Sequence, residues 1–250
     1  MAKIRNPVRF SKFFGISEAL LAKLGVLDPT LNVDTKLFID PFLIPDSTHS
    51  EIAVSGFKTY KHHFETVIKF LAASKSEDDV AWRSARRLME FPEIKWTCLG
   101  YGAQSVSGSG SGAFTTTGVM QTAKEIVGLG VNDPDLFVAM GLFENGIGPD
   151  RISDMATNVI LPDLLAFNAH ILKEIKLPTK NFTLVLKNGK DYQAELPINP
   201  FEKSVETPII LVPADILRDL PIASDWSDVA AAASKNANLR NRVNKQIAET

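Results

Sequence analysis

The chain has one cysteine, Cys98, among 250 residues, which excludes an internal disulfide and any multi-cysteine zinc or iron–sulfur centre. Its neighbours Trp96, Thr97 and Leu99 suggest a small buried hydrophobe rather than a nucleophile. No excess of one charge marks it as a bulk polyanion binder, since 27 Lys and Arg face 29 Asp and Glu. No apolar run approaches the ~20 residues of a membrane span. Lys3, Arg5, Arg9 and Lys12 are not followed by the apolar stretch of a signal peptide, so a cytoplasmic protein without membrane contact is expected. Internal repeats are absent too.

What is present is an ordinary globular composition, 45% hydrophobic and 22% charged. Ser17 is placed to cap a helix over residues 18–24, with Ile16 and Leu21 at the positions of a hydrophobic staple and Gly25 after the last turn. Residues 36–44 read as β-like, but Pro41 puts the run on a sheet edge or breaks it after Asp40. From Glu51 to Ala73 the apolar residues Phe57, Tyr60, Phe64, Val67, Ile68 and Leu71 share one helical face. Ser76 and Asp79 open the next helix, which buries Trp82, Ala85, Leu88 and Met89.

Residues 100–118 contain six glycines and no apolar period, the pattern of a loop or linker. A helix is expected over 119–127, another from Asp133 through Phe143, and a third from Asp150, kinked or restarted at Pro162, toward Ile175. Asn188-Gly189 separates two strand-like runs and predicts a two-residue hairpin turn, residues 208–212 suggest a third strand, and a helix from about Ser227 closes the chain. The fold class is α+β: a mainly helical first two-thirds, a small antiparallel sheet and a C-terminal helix. This divides the chain into a helical N-terminal region, residues 1–99, a Gly/Ser loop, residues 100–118, and a C-terminal region, residues 119–250, with a single compact domain as the alternative.

The densest candidate site is residues 143–158. With Asp150 opening a helix, Asp154 and Asn158 follow at i+4 and i+8 on one face, Ser153 and Thr157 beside them, opposite Ile152, Met155 and Val159. Two carboxylates at that spacing repel, and Mg²⁺ or Mn²⁺ would offset the repulsion through hard oxygen ligands. Asp150 and Asp154 are then metal ligands, Glu144 a ligand or general base, and Arg151 a stabiliser of phosphate charge. Two explanations compete: Arg151 offsets the repulsion, or Asp150 merely caps the helix while Asp154 is solvated or paired with a distant basic residue. Asp40 with Glu93 and Lys95 matches the residue types of PD-(D/E)XK nucleases, a degenerate pattern without a clear strand at Glu93. The histidines suggest neither zinc nor general-base chemistry: His62 and His63 are expected at the surface, His49 just ahead of the helix and His170 at the margin of an apolar face.

Charge is unevenly spread. Residues 131–175 hold seven acids against Arg151 and Lys173, whereas Arg83, Arg86 and Arg87 gather on the polar face of one helix. That stripe is either a contact for nucleic-acid phosphates or a solvated face. At the C-terminus Leu239, Val243 and Ile247 repeat at four-residue spacing, a stripe for a second copy, for a partner protein or for the chain's own core.

Two segments, GIGPDRISDMATNVI (146–160) and LPINP (196–200) followed by ILVPADILRDLPIASDW (210–226), resemble stretches of bacterial proteins from mobile-element and phage-defence neighbourhoods. The resemblance implies nucleic-acid-directed work and carries no assigned activity. Two functions are therefore expected: a metal-dependent phosphodiester hydrolase, or a non-enzymatic interaction module of a larger assembly.

Overall fold

The computed structural model describes residues 6–100, 113–130, 134, 137, 149–186, 189–202 and 205–219. Two short helices lead in. Helix α1 (Phe10–Phe14), which its few apolar residues had not signalled, buries Phe10, and α2 (Glu18–Lys23) buries Leu21. Ser17 holds the N-cap position of α2 without a side-chain bond, its carbonyl instead accepting the Leu20 and Leu21 N–H groups. Gly25 then turns the chain at φ +65°, where a Cβ would stand 2.8 Å from His49 Nε2. Both backbone conformation and space demand glycine there.

Strand β1 (Leu37–Ile39) stops where Pro41 begins a 3-10 helix (Pro41–Asp46), capped by the Asp40 carboxylate on the Phe42 N–H. Expected as one long helix, residues 51–73 form a π-helix (Glu51–Gly56) that runs into α3 (Phe57–Ala73). The expected stripe faces the core: Phe64 is fully buried and its ring lies 4.7 Å from that of Phe137. Helix α4 (Val80–Leu88) is capped by Asp79 on the Trp82 N–H rather than by Ser76.

Helix α5 (Ala113–Gly128) begins inside the segment expected to be a loop, so residues 113–118 are helical and only 101–112 lie outside the described residues. Most of the helix expected from Asp133 also lies outside them. Helices α6 (Pro149–Val159) and α7 (Leu161–Ile175) meet at a 73° bend, with Pro162 starting the second helix, where its missing N–H costs nothing.

The β structure is two antiparallel pairs. β2 (Lys180–Val185) and β3 (Asp191–Leu196) form the expected hairpin, with Val185 opposite Asp191. A two-residue turn would have put Lys187 opposite Lys190. Instead the Leu186 N–H donates to the Lys190 carbonyl and the Gly189 N–H to the Leu186 carbonyl, giving a three-residue connection. Gly189, at φ +81°, takes its left-handed position.

β1 pairs with β4 (Leu217–Asp219), Ile39 opposite Leu217, joining segments far apart in sequence. Residues 208–212, expected as a strand, are buried outside any ladder, Pro208 making an isolated bridge with Ile198. Their N–H groups go to separate partners: Ile209 to the Pro197 carbonyl, Ile210 to the Trp96 carbonyl and Leu211 to Asn168 Oδ1. One hydrophobic cluster draws on residues from Phe10 to Ile216. The expected C-terminal helix, with Leu239, Val243 and Ile247, lies outside the described residues.

Candidate nucleic-acid interface

The α3 and α4 helices form an antiparallel hairpin because each carries one apolar stripe, and burying the stripes together leaves their polar faces outward. Arg83, Arg86 and Arg87 are all exposed on α4, as the periodicity predicts, and none forms an ion pair among the described residues. The Arg83 guanidinium donates to the Asp78 carbonyl. Across α3 and α4 six Lys and Arg face one acid, Glu65. Two acids of the connecting turn are engaged: Glu77 accepts from Gln121 Nε2, and Asp79 accepts the N–H groups of Lys75, Ser76 and Trp82. Those bonds, Trp82 first, hold the Asp79 carboxyl down at about 2.

Beside this face a cleft of about 70 Å³ opens between α3, α4, α6 and the β2–β3 hairpin. Arg87 and Lys190 line it with His63 and Asn158, over Phe91 and Val159. His63, expected at the surface, is largely buried against Phe64 and Phe91, with Nε2 3.1 Å from the Leu88 carbonyl. That carbonyl can only accept, so Nε2 carries the proton. Burial first, then the Lys190 charge, pushes the imidazole down to about 4, keeping it neutral. Asn158 donates Nδ2 to the Pro92 carbonyl at 2.6 Å and to the Asp154 carbonyl at 2.8 Å, while its Oδ1 is buried without a hydrogen-bond partner.

The carboxylate face expected on α6 looks different. Ser153, Thr157 and Asn158 are buried, as are Ile152, Met155 and Val159 on the other side, so the helix is enclosed on both faces. Ser153 Oγ accepts the Ile39 N–H at 2.9 Å and Thr157 Oγ1 donates to the Ser153 carbonyl at 2.7 Å. Arg151 and Asp154 are half-buried on this helix, and Arg151 Nη1 is buried with no hydrogen-bond partner. Glu144 and the side chain of Asp150 lie outside the described residues. Among the described residues no three His, Cys, Asp or Glu side chains gather closely enough to hold a metal.

Asp40 is buried and paired with Arg218 at 3.4 Å, and Glu93 lies on irregular backbone rather than a strand. His170 is exposed and bonded to Glu51 at 3.2 Å, and half-buried His49 sets its ring 4.7 Å from that of Phe167. Cys98 is fully buried, and burial pushes its thiol up to about 12, as expected of a core residue.

A family model described as a domain of unknown function, DUF8370, matches residues 15–225. The chain belongs to the DUF8370 family. No curated protein and no solved structure matches it. The DUF8370 match takes in the arginine face, the cleft and α6, and so separates none of them from the family's common core.

Sequence reasoning found the arginines through helical periodicity but passed over the cleft. Its residues lie on three helices and a hairpin, and His63 lies at the flank of the α3 stripe, where a surface position was expected. Among the described residues no single helix is long and apolar enough to cross a membrane.

Proposed function

We propose that this protein is a non-enzymatic nucleic-acid-binding module that grips phosphates through Arg83, Arg86 and Arg87. The observation that carries the reading is the exposure of three arginines on one helix with no carboxylate paired to them among the described residues. Such a face attracts a polyanion at long range and releases its counterions on contact. The overall charge of −2 does not oppose it, because the acids of residues 131–175 belong to another region of the sequence. Fluorescence anisotropy with labelled DNA at graded salt tests the reading. Binding that weakens steeply with salt supports it, and absence of binding at low salt overturns it.

A second reading keeps the carboxylates of α6. Arg151 favours it, since a buried guanidinium N–H without a partner is a donor left for an anion. In this reading Asp150 and Asp154 hold Mg²⁺ or Mn²⁺, Glu144 serves as ligand or general base, and Arg151 neutralises a scissile phosphate. Calorimetric titration with Mn²⁺ decides it: Asp154→Asn should weaken binding at least tenfold relative to wild type. Equal affinity in the two proteins removes the reading.

A further inference from the structure

We infer that the trough between α7 and the outer edge of β3 receives an extended segment of a partner protein, added to the hairpin as a third strand and carrying an acidic side chain to Lys173 and Lys176. It lies apart from the arginine face in sequence and does not rest on nucleic-acid binding. β3 is laddered on one side only, to β2. In that ladder the Leu186 N–H reaches the Lys190 carbonyl, and hydrogen-bonded pairs alternate from there, so Tyr192 and Ala194 turn their main-chain groups toward β2. Gln193 and Glu195 turn theirs to the other side, where no hydrogen bond meets them among the described residues. Two residues on, the Pro197 carbonyl takes the Ile209 N–H, so the chain's own extended segment occupies the row at that end and leaves the rest of it open.

Gln193 and Glu195 line a trough of about 580 Å³ whose other wall is α7. A small-molecule pocket would enclose its ligand, but Ala166, Ala169 and Lys173 on that wall are exposed, so the trough lies open to solvent. An extended chain suits such a shape: its main-chain groups pair with the open edge, and every second side chain points at α7. Those side chains meet Leu165, Ala166, Ala169 and Leu172, an apolar wall on which the two alanines leave room, and then Lys173 and Lys176. Neither lysine forms an ion pair among the described residues, and Glu195 is the one acid lining the trough. An acidic side chain at that end therefore gains a charge-assisted bond. The alternate side chains stand beside Gln193 and Glu195 on the exposed face of the hairpin, where a second acid is disfavoured. A second copy of this chain fits less well, because pairing β3 with its own copy about Gln193 sets Asp191 against Glu195.

The test is selection on the full chain from a display library of random peptides of about ten residues, long enough to cover the six residues of β3, followed by anisotropy and amide hydrogen exchange with the selected peptides. These peptides should alternate apolar and polar residues with an acid at one end of the apolar row, and the double variant Lys173→Glu, Lys176→Glu should bind them roughly tenfold more weakly, the size of a charge-assisted hydrogen bond. Ala169→Arg, at an exposed helical position, should block the trough and abolish binding while the thermal unfolding of the protein stays as it was. Bound peptide should slow exchange of the Gln193 and Glu195 amides, which a helix or a loop resting in the trough would leave fast. Peptides that leave those amides fast, or that bind Ala169→Arg as tightly as wild type, overturn the inference, and so does a selection that yields no peptide. Slow exchange of the two amides without peptide, together with a dimer in light scattering, gives the edge to a second copy and overturns it as well.

Discussion

Helices α4 and α6 read alike in sequence, each with an apolar stripe and a polar one, yet one shows its polar stripe to solvent and the other buries it. The polar residues of α4 are arginines, whose charge is costly to remove from water. The buried ones of α6 are Ser153, Thr157 and Asn158, short side chains that donate to nearby backbone: Thr157 to the Ser153 carbonyl, Asn158 through Nδ2 to the Asp154 and Pro92 carbonyls. Ser153 in turn takes the Ile39 N–H and so ties α6 to β1. Helical polarity thus indicates a surface only when the side chains are too charged or too long to be satisfied inside.

The contrast breaks most visibly at Asn158. Replacing it with leucine takes the Nδ2 donor from the Pro92 carbonyl at a buried position and should cost up to about 3 kcal/mol, read as a fall in the urea midpoint. An unchanged midpoint would mean that the polar face of α6 is solvated after all. Acidification gives a smaller effect at the junction of the two helices. His63 is held neutral with a folded-state pKa near 4 against an ordinary 6.5, so between these values the unfolded chain binds more protons than the folded one. Its contribution is fully present above about pH 6.5 and is lost as pH falls toward 4, amounting to about 2 kcal/mol after discounting for partial exposure. In His63→Gln that share of the pH slope should disappear. Persistence of the full slope in the variant would place the titration elsewhere.

Mutating α4 should produce the smallest change in stability. Each of Arg83→Gln, Arg86→Gln and Arg87→Gln should shift stability by no more than about 0.5 kcal/mol, as is usual for exposed side chains. A loss as large as that of Asn158→Leu would show that the arginines hold the fold rather than face a partner.

Local signals were legible wherever one segment decides its own fate. The stripe of α3, the break at Pro41 and the restart at Pro162 rest on periodicity or on proline's missing N–H. The rest depends on distant partners. β4 is three residues long and exists because Leu37 to Ile39 lie beside it, a pairing that nothing in Leu-Arg-Asp announces. Residues 208–212 carry every local mark of a strand, but their N–H groups meet single acceptors, one of them Asn168 Oδ1. Buried asparagines recur in this role: Asn32 Oδ1 accepts the Val8 N–H and Asn199 Oδ1 the Phe201 N–H. In a sequence such residues look like surface. The candidate site divides the same way, the arginine face following from one helix and the cleft from the meeting of four elements.

The central claim is that the arginine face of α4 binds phosphates, and the salt dependence of DNA affinity tests it most directly. Wild type and the triple variant Arg83→Gln, Arg86→Gln, Arg87→Gln would be compared by anisotropy across a range of salt concentrations. The expected result is weaker binding by the variant and a slope of log affinity against log salt that is shallower by roughly 2–3 units, one for each phosphate no longer neutralised. Identical slopes in the two folded proteins would contradict the claim and return α4 to a solvated face.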